Sequence, residues 1–221
     1  MMKRIFDFTA SLIGLILLSP IFLILSLMIV IDSRGGVFFR GVRVGQHGKD
    51  FRIFKFRSMR PDCEGKGKWN VGNNDDRITR VGHFLRNTKL DELPQLINVL
   101  KGDMSLVGPR PELRVYIDMY TEREMPILDL KPGITDWASM TNFEQLTGFT
   151  EAADPDKYYL ETIRPLKLEL QLYYRNNNGF WSDIKCLFWT VYKVIFRSNK
   201  LPKDVQAIVD NKKIQMQISQ Q

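Results

Sequence analysis

The sequence predicts an α+β chain, mostly helical, whose first segment lies in a membrane. Three observations carry that reading. Ile5 to Ile31 is almost wholly apolar. Val37 to Met59 sets short aromatic and β-branched runs around a polar turn, the mark of a small hairpin. From Ile78 onward, apolar residues recur at helical spacing. The chain divides accordingly into a membrane helix at 1–34, a domain at the membrane face at 35–200, and a polar C-terminal tail at 201–221. With 221 residues and 44% hydrophobic composition, it is long enough to bury one real core.

The N-terminal run is long enough to span a bilayer as one helix. No small-x-small cleavage site precedes Asp32, which argues against a removed signal peptide. Two readings then compete. One is a single span. The other is a re-entrant helix with a break at Ser19 and Pro20. Proline cannot continue the hydrogen-bond ladder, and the Ser19 hydroxyl can serve a freed backbone group. Basic residues flank both ends, Lys3 and Arg4 before and Arg34, Arg40 and Arg43 after, so the positive-inside tendency keeps both ends cytoplasmic. Spanning helices also tolerate proline, and the residues alone leave the two readings open.

The next runs are Val37-Phe38-Phe39-Arg40 and Phe51-Arg52-Ile53-Phe54-Lys55-Phe56-Arg57, with a turn at Gly45 to Asp50. Strand alternation points Lys55 and Arg57 the same way. They are either solvated strand residues or a cationic pair aimed at phosphate. Pro61 to Asp76 is polar, Gly-rich and loop-like. Ile78 to Arg86 reads as a short helix ending at Arg86, with His83 as a structural imidazole.

Leu90 to Pro111 is the most unusual stretch. Asp91 and Glu92 stand before Pro94 in a largely apolar segment, and a Gly/Pro turn then sets Arg110 between two prolines. Thr88 fits a capping pattern three residues ahead of Asp91. Pro94 favours a later helix start, which leaves Asp91 at the mouth of the helix. Capping alone would explain two acids in a first turn. Glu112 to Glu124 reads as a helix begun by Pro111. Pro155 to Tyr174 is helical. Phe180 to Arg197 is amphipathic, with Ile184, Phe188, Val191 and Ile195 on one stripe. That stripe either faces a core or, with Trp181, Trp189, Tyr192, Lys185 and Lys193, lies in a membrane interface.

Net charge is +7 and the pI about 9.4, which points to an anionic partner. No nucleic-acid module is recognisable, and the apolar N-terminus demands a membrane, so nucleic acid is excluded as the partner. Cys63 and Cys186 form neither a disulfide framework nor a zinc pattern with His47 or His83.

These residues together resemble the small monotopic phosphoglycosyl transferases of the bacterial sugar transferase family. The resemblance rests on Lys3-Arg4 with Asp7, Leu18-Ser19-Pro20, Val37 to Arg40, Lys55-Phe56-Arg57-Ser58-Met59, Leu90 to Pro111 in full, and Pro132-Gly133-Ile134-Thr135. It implies a monotopic membrane protein with a re-entrant helix, a small hairpin, interfacial amphipathic helices and a catalytic domain over 35–200. It also implies a Mg²⁺-dependent enzyme that moves a phosphosugar from a UDP-sugar to polyprenol (undecaprenyl) phosphate and releases UMP. The work is done at the cytoplasmic face of the bacterial inner membrane, against anionic lipid, at the first membrane-committed step of glycan assembly. Asp91 would be the nucleophile and Glu92 its assistant, both within reach of the metal. Arg110, Arg86, Lys55 and Arg57 would serve the substrate phosphates. A homodimer stays open. The sequence departs from the commoner pattern at Asp136 to Phe143, so no sugar-binding residue is carried over there.

Overall fold

The computed structural model describes residues 2–61, 76–141, 155–196, 198 and 200–218. The chain forms two compact units, Met1–Leu106 and Val107–Gln221. Most of the loop expected at Pro61 to Asp76, with Cys63, lies outside the described residues.

The first unit begins with helix α1, Met2–Asp32. The helix continues through Ser19 and Pro20, where a break was expected. The reason is local. Pro20 has no N–H for the carbonyl of Ile16 four residues back, and Ser19 Oγ donates to that same oxygen at 2.8 Å. Asp7 and Ser11 are buried near one end of α1, and Leu25 and Ile29 near the other. Between them Ile16 and Leu17 are exposed, at 63% and 71%.

Both ends of α1 are fastened to the rest of this unit. Arg4 donates to the carbonyls of Val99 (2.5 Å) and Leu100 (2.9 Å). Asp7 accepts from Ser105 Oγ (2.8 Å) and the Leu106 N–H (3.2 Å). At the other end Asp32 accepts from the Val81 N–H at 2.9 Å. Leu25 and Ile29 join Phe56 and Leu85 in one apolar cluster.

Four short strands follow: β1 Phe38–Phe39, β2 Val42–Val44, β3 Asp50–Arg52 and β4 Lys55–Phe56. β2 pairs antiparallel with β3, Val42 opposite Arg52, and β1 with β4, Phe38 opposite Phe56. The turn between β2 and β3 puts His47 and Gly48 at positive φ. Helix α2, Arg80–Thr88, is capped by Thr79, whose hydroxyl accepts the Gly82 N–H at 3.0 Å. Helix α3, Gln95–Lys101, closes on Gly102 in the left-handed region.

In the second unit, Gly108 donates to the Thr135 carbonyl (3.0 Å) and Gly133 to that of Pro109 (2.9 Å). A Cβ on Gly133 would fall 2.1 Å from the Gly108 nitrogen, so two backbones meet where the glycines leave room. The helix expected over Glu112 to Glu124 shrinks to α4, Arg114–Ile117. Glu124 Oε2 accepts the Thr121 N–H at 2.9 Å and starts a new turn there. After α5, Trp137–Met140, comes α6, Pro155–Tyr158, which runs through a π-helical turn, Tyr159–Ile163, into α7, Arg164–Asn176. Two helices end the unit, α8 at Phe180–Phe196 and α9 at Lys203–Ile218. The stretch read as a polar tail is therefore helical, with Val205 and Val209 buried and Asp204 paired to Lys185 at 2.9 Å.

Helix α8 is inverted relative to a core helix. Trp181, Phe188, Val191 and Ile195 are exposed, at 80%, 67%, 55% and 66%. The inward face carries buried Asp183, which accepts the Tyr174 hydroxyl at 2.5 Å, and Thr190, bonded to Thr135 at 2.8 Å. The stripe Phe188, Val191 and Ile195 does not face a core.

Gly82 is a tight point of the first unit: an added Cβ would lie 2.0 Å from the Ser58 carbonyl oxygen. Gly82→Ala must push α2 off the strand segment, and should cost about 1–3 kcal/mol. Thermal unfolding should show it as a lowered Tm, whereas an unchanged Tm would mean that the two elements are not held this closely.

Candidate active site

Asp91 and Glu92 sit in a one-turn 3-10 helix, Leu90–Glu92, between α2 and α3. Thr88 does not cap this turn. It belongs to α2, and its hydroxyl donates back to Phe84 O (2.7 Å) and Leu85 O (3.2 Å). Lys89 instead takes the left-handed conformation (φ 59°), ends α2 and reverses the chain into the dyad. Pro94 falls just ahead of α3, where its missing N–H costs no helical bond. Asp91 is buried.

The turn packs against both α2 and β4. From β4, Lys55 Nζ reaches Glu92 Oε1 at 3.0 Å, with both side chains largely shielded. From the last turn of α2 comes Arg86, whose Nη1 is buried with no hydrogen-bond partner among the described residues. A buried guanidinium nitrogen without an acceptor costs on the order of 1–3 kcal/mol, which an anion would recover. The first unit thus gathers Lys55, Arg86, Asp91 and Glu92 on neighbouring elements.

Arg57 is committed elsewhere. Its guanidinium donates to the carbonyls of Ser33 and Arg34, both at 2.6 Å, and of Ile29 at 3.4 Å. It caps the C-terminus of α1, where the helix dipole favours a cation. Lys55 and Arg57, paired by strand alternation, therefore hold different partners, because β4 ends at Phe56.

Arg110 belongs to the second unit. Its N–H donates to Asp136 Oδ2 at 3.2 Å, and Asp136 Oδ1 caps α5 through the Ser139 N–H at 2.6 Å. Asp136 is only 1% exposed. It is one of two residues the sequence reading passed over. Its signal was the capping spacing Asp136-x-x-Ser139. The other is Asn98, fully buried on α3. Asn98 accepts the Phe54 N–H (2.8 Å) and donates to Arg52 O (2.9 Å) and Asp103 (3.2 Å). No local pattern marks it, since its two backbone partners lie more than forty positions upstream.

No group of three or more His, Cys, Asp or Glu side chains placed to hold a metal occurs among the described residues. An all-protein cage is therefore not offered there. Two adjacent carboxylates fit the way Mg²⁺ is held in phosphoryl chemistry, by one or two carboxylates with substrate phosphates and water completing the shell.

Comparison with known proteins places the chain. The family described as bacterial sugar transferase matches residues 1–197. A UDP-N-acetylgalactosamine-undecaprenyl-phosphate N-acetylgalactosaminephosphotransferase of Aeromonas hydrophila is 39% identical over 197 residues, covering 87% of this chain and 43% of that one. A UDP-glucose:undecaprenyl-phosphate glucose-1-phosphate transferase of Escherichia coli (strain K12) is 39% identical over 196 residues, 87% of this chain and 40% of its own length. An uncharacterized sugar transferase of Bacillus subtilis (strain 168) is 41% identical over 194 residues, 88% of this chain and 87% of its own. The chain thus spans less than half of the first two relatives and most of the third.

The two strand cations should separate by experiment. Arg57→Met takes the guanidinium from the Ser33 and Arg34 carbonyls and should cost about 2–3 kcal/mol of stability, read as a lowered Tm. Lys55→Met should leave Tm nearly unchanged and lower turnover by about ten- to a hundredfold. Equal effects of the two variants on both readouts would contradict this division.

Proposed function

Because the chain belongs to the bacterial sugar transferase family, we propose that it transfers a phosphosugar from a UDP-sugar to polyprenol (undecaprenyl) phosphate and releases UMP. The carrying observation is the dyad turn, with Asp91 buried and Lys55 on Glu92, packed against the helix whose Arg86 Nη1 has no hydrogen-bond partner among the described residues. A carboxylate attacking a diphosphate meets like charge. Cations set around it stabilise the transition state electrostatically.

In this reading an oxygen of the Asp91 carboxylate attacks the phosphorus that bears the sugar. A new P–O bond forms to Asp91, and the P–O bond to UMP breaks. UMP leaves with the electron pair. A phosphate oxygen of the polyprenol phosphate then attacks the same phosphorus and frees the Asp91 carboxylate, giving the polyprenol diphosphate sugar. Splitting one displacement into two steps lets the nucleotide leave before the lipid reacts. Lys55 holds Glu92 in place, Arg86 and Arg110 bind phosphate oxygens, and Arg57 acts through the end of α1. Asp91 and Glu92 would hold Mg²⁺, which would supply further charge neutralisation on the phosphates.

The membrane reading follows from α1. Its two ends are tied to the same unit by Arg4, Asp7, Asp32 and Arg57, while its middle is bare apolar surface. A straight crossing would put about 30 Å of hydrocarbon between those ends. This supports a re-entrant helix that dips into one leaflet, with both ends at the cytoplasmic face of the inner membrane. Taken by itself, the outward aromatic and aliphatic face of α8 also suits a lipid surface. The product would begin the assembly of a bacterial polysaccharide or glycoconjugate on its lipid carrier.

The test is UMP release from a panel of UDP-sugars. Full activity should need polyprenol phosphate and Mg²⁺, and Asp91→Asn should lose it while staying folded and membrane-bound. A membrane scaffold built on the same helices would bind lipid vesicles and release no UMP from any donor, and that result would refute the enzymatic reading.

A further inference from the structure

A buried amide borders the dyad and has no part in the chemistry above. Gln95 is the first residue of α3 and is only 1% exposed. Its side-chain nitrogen Nε2 is buried and has no hydrogen-bond partner among the described residues. Buried polar groups in folded proteins are nearly always satisfied, so an orphaned amide N–H calls for an acceptor. Left unbonded, it costs stability that an apolar side chain of the same size would not.

The neighbouring turns fix which way Gln95 faces. The chain winds from the dyad into α3 without a break. Leu93 and Pro94 are both helical, the Leu93 N–H donates to Leu90 O (3.2 Å), and the Leu96 N–H donates to Leu93 O (3.1 Å). Residues three and four apart on a helix share a face. Glu92 stands three residues before Gln95 and is held by Lys55 Nζ at 3.0 Å. Asn98 stands three residues after it and accepts the Phe54 N–H at 2.8 Å. Phe54 and Lys55 are consecutive, so one strand segment grips the helix on both sides of Gln95. Gln95 therefore faces that segment. Helical side chains lean toward the N-terminus, which aims the Gln95 amide back at the turn of Asp91 and Glu92.

We propose that Gln95 is a further substrate-binding residue: its Nε2 donates to a non-bridging oxygen of the phosphoryl group that Asp91 attacks. Asp91 lies four residues before Gln95, one helical turn away, and the phosphoryl group must come to its carboxylate. The two carboxylates of the dyad are already in place and leave the Gln95 N–H unbonded, so the acceptor arrives with the ligand. An anionic phosphoryl oxygen suits a buried N–H, since hydrogen bonds to charged acceptors are the stronger kind. The amide brings no charge. It orients the phosphoryl group and leaves charge neutralisation to the cations. The inference rests on the transferase reading of the dyad.

The test uses the full chain in membranes with polyprenol phosphate, Mg²⁺ and whichever UDP-sugar of a panel yields most UMP. Gln95→Met and Gln95→Leu keep the bulk of the side chain and remove the N–H. Both should leave Tm unchanged or raised, because the ligand-free protein loses no bond. Both should lower kcat/KM for the donor by about tenfold or more. Binding is read separately in Asp91→Asn, where the donor docks without reacting. The rise in Tm that the UDP-sugar gives there should shrink when Gln95→Met is added. A near-normal kcat/KM in both variants, or an undiminished rise in Tm, overturns the proposal. So does a lowered Tm in both variants, since the amide would then hold the fold and not the substrate. If only one of them melts lower, the other decides. No UMP from the starting protein with any donor overturns the transferase reading itself. UMP from the starting protein beside unaffected variants overturns the role of Gln95 alone.

Discussion

The first unit depends on one buried carboxamide. Asn98 sits on α3, just beyond the dyad, and bonds the backbone on both sides of Ile53. That double bond sets the register between α3 and the strand segment leading into Lys55. An amide buried completely must be satisfied or it costs stability, and here its partners exist only when α3 and the strands are in place. Two further anchors extend the frame. Arg4 and Asp7 bind the start of α1 to α3 and to the segment after it, and Arg57 with Asp32 binds its end to α2 and the strands. A helix that looks like a detachable anchor is thereby part of the first unit's own framework.

That framework explains a feature of the apolar helix that composition alone obscures. A membrane span needs no contact with a water-facing domain at both of its ends. This one carries Asp7 and Ser11 buried near its start and Leu25 and Ile29 buried near its end, with lipid-suited surface between. Two of the polar residues that interrupt the run, Asp7 and Ser11, fold into the protein. In the second unit the inversion recurs on α8, where Asp183 and Thr190 turn inward and Phe188, Val191 and Ile195 turn out. Both helices reverse the pattern of a water-soluble amphipathic helix.

Much of this was legible in the residues. The long apolar run and the largely helical character of the chain follow local signals that survive in the structure. What local signals could not reach is instructive. Thr88 had the spacing of a cap but serves the helix behind it, because Lys89 reverses the chain. Arg57 looked like the twin of Lys55 until Ile29 and the two residues just after α1 supplied three carbonyls for it. Ser19 and Pro20 spelled a break, yet the hydroxyl replaces the missing donor and the helix runs on. Lys203–Ile218 looked like part of a polar tail, yet it is a helix whose Val205 and Val209 are buried and whose Asp204 pairs with Lys185. In each case a partner distant in sequence, or one side-chain hydroxyl, outweighed the local rule. Asn98 stayed invisible for the same reason: its worth lies in what it touches.

The account makes Asp91 a nucleophile and the surrounding cations its electrostatic support. The most direct measurement is the intact mass of the full chain mixed with UDP-sugar and Mg²⁺ in the absence of lipid acceptor. The account predicts a mass gain of one phosphosugar, mapped to Asp91, that disappears when polyprenol phosphate is added. No adduct, together with kinetics that need both substrates bound at once, would contradict it and leave Asp91 as a metal ligand in a direct displacement. An adduct on Glu92 would contradict it differently, by reversing the roles of the two acids.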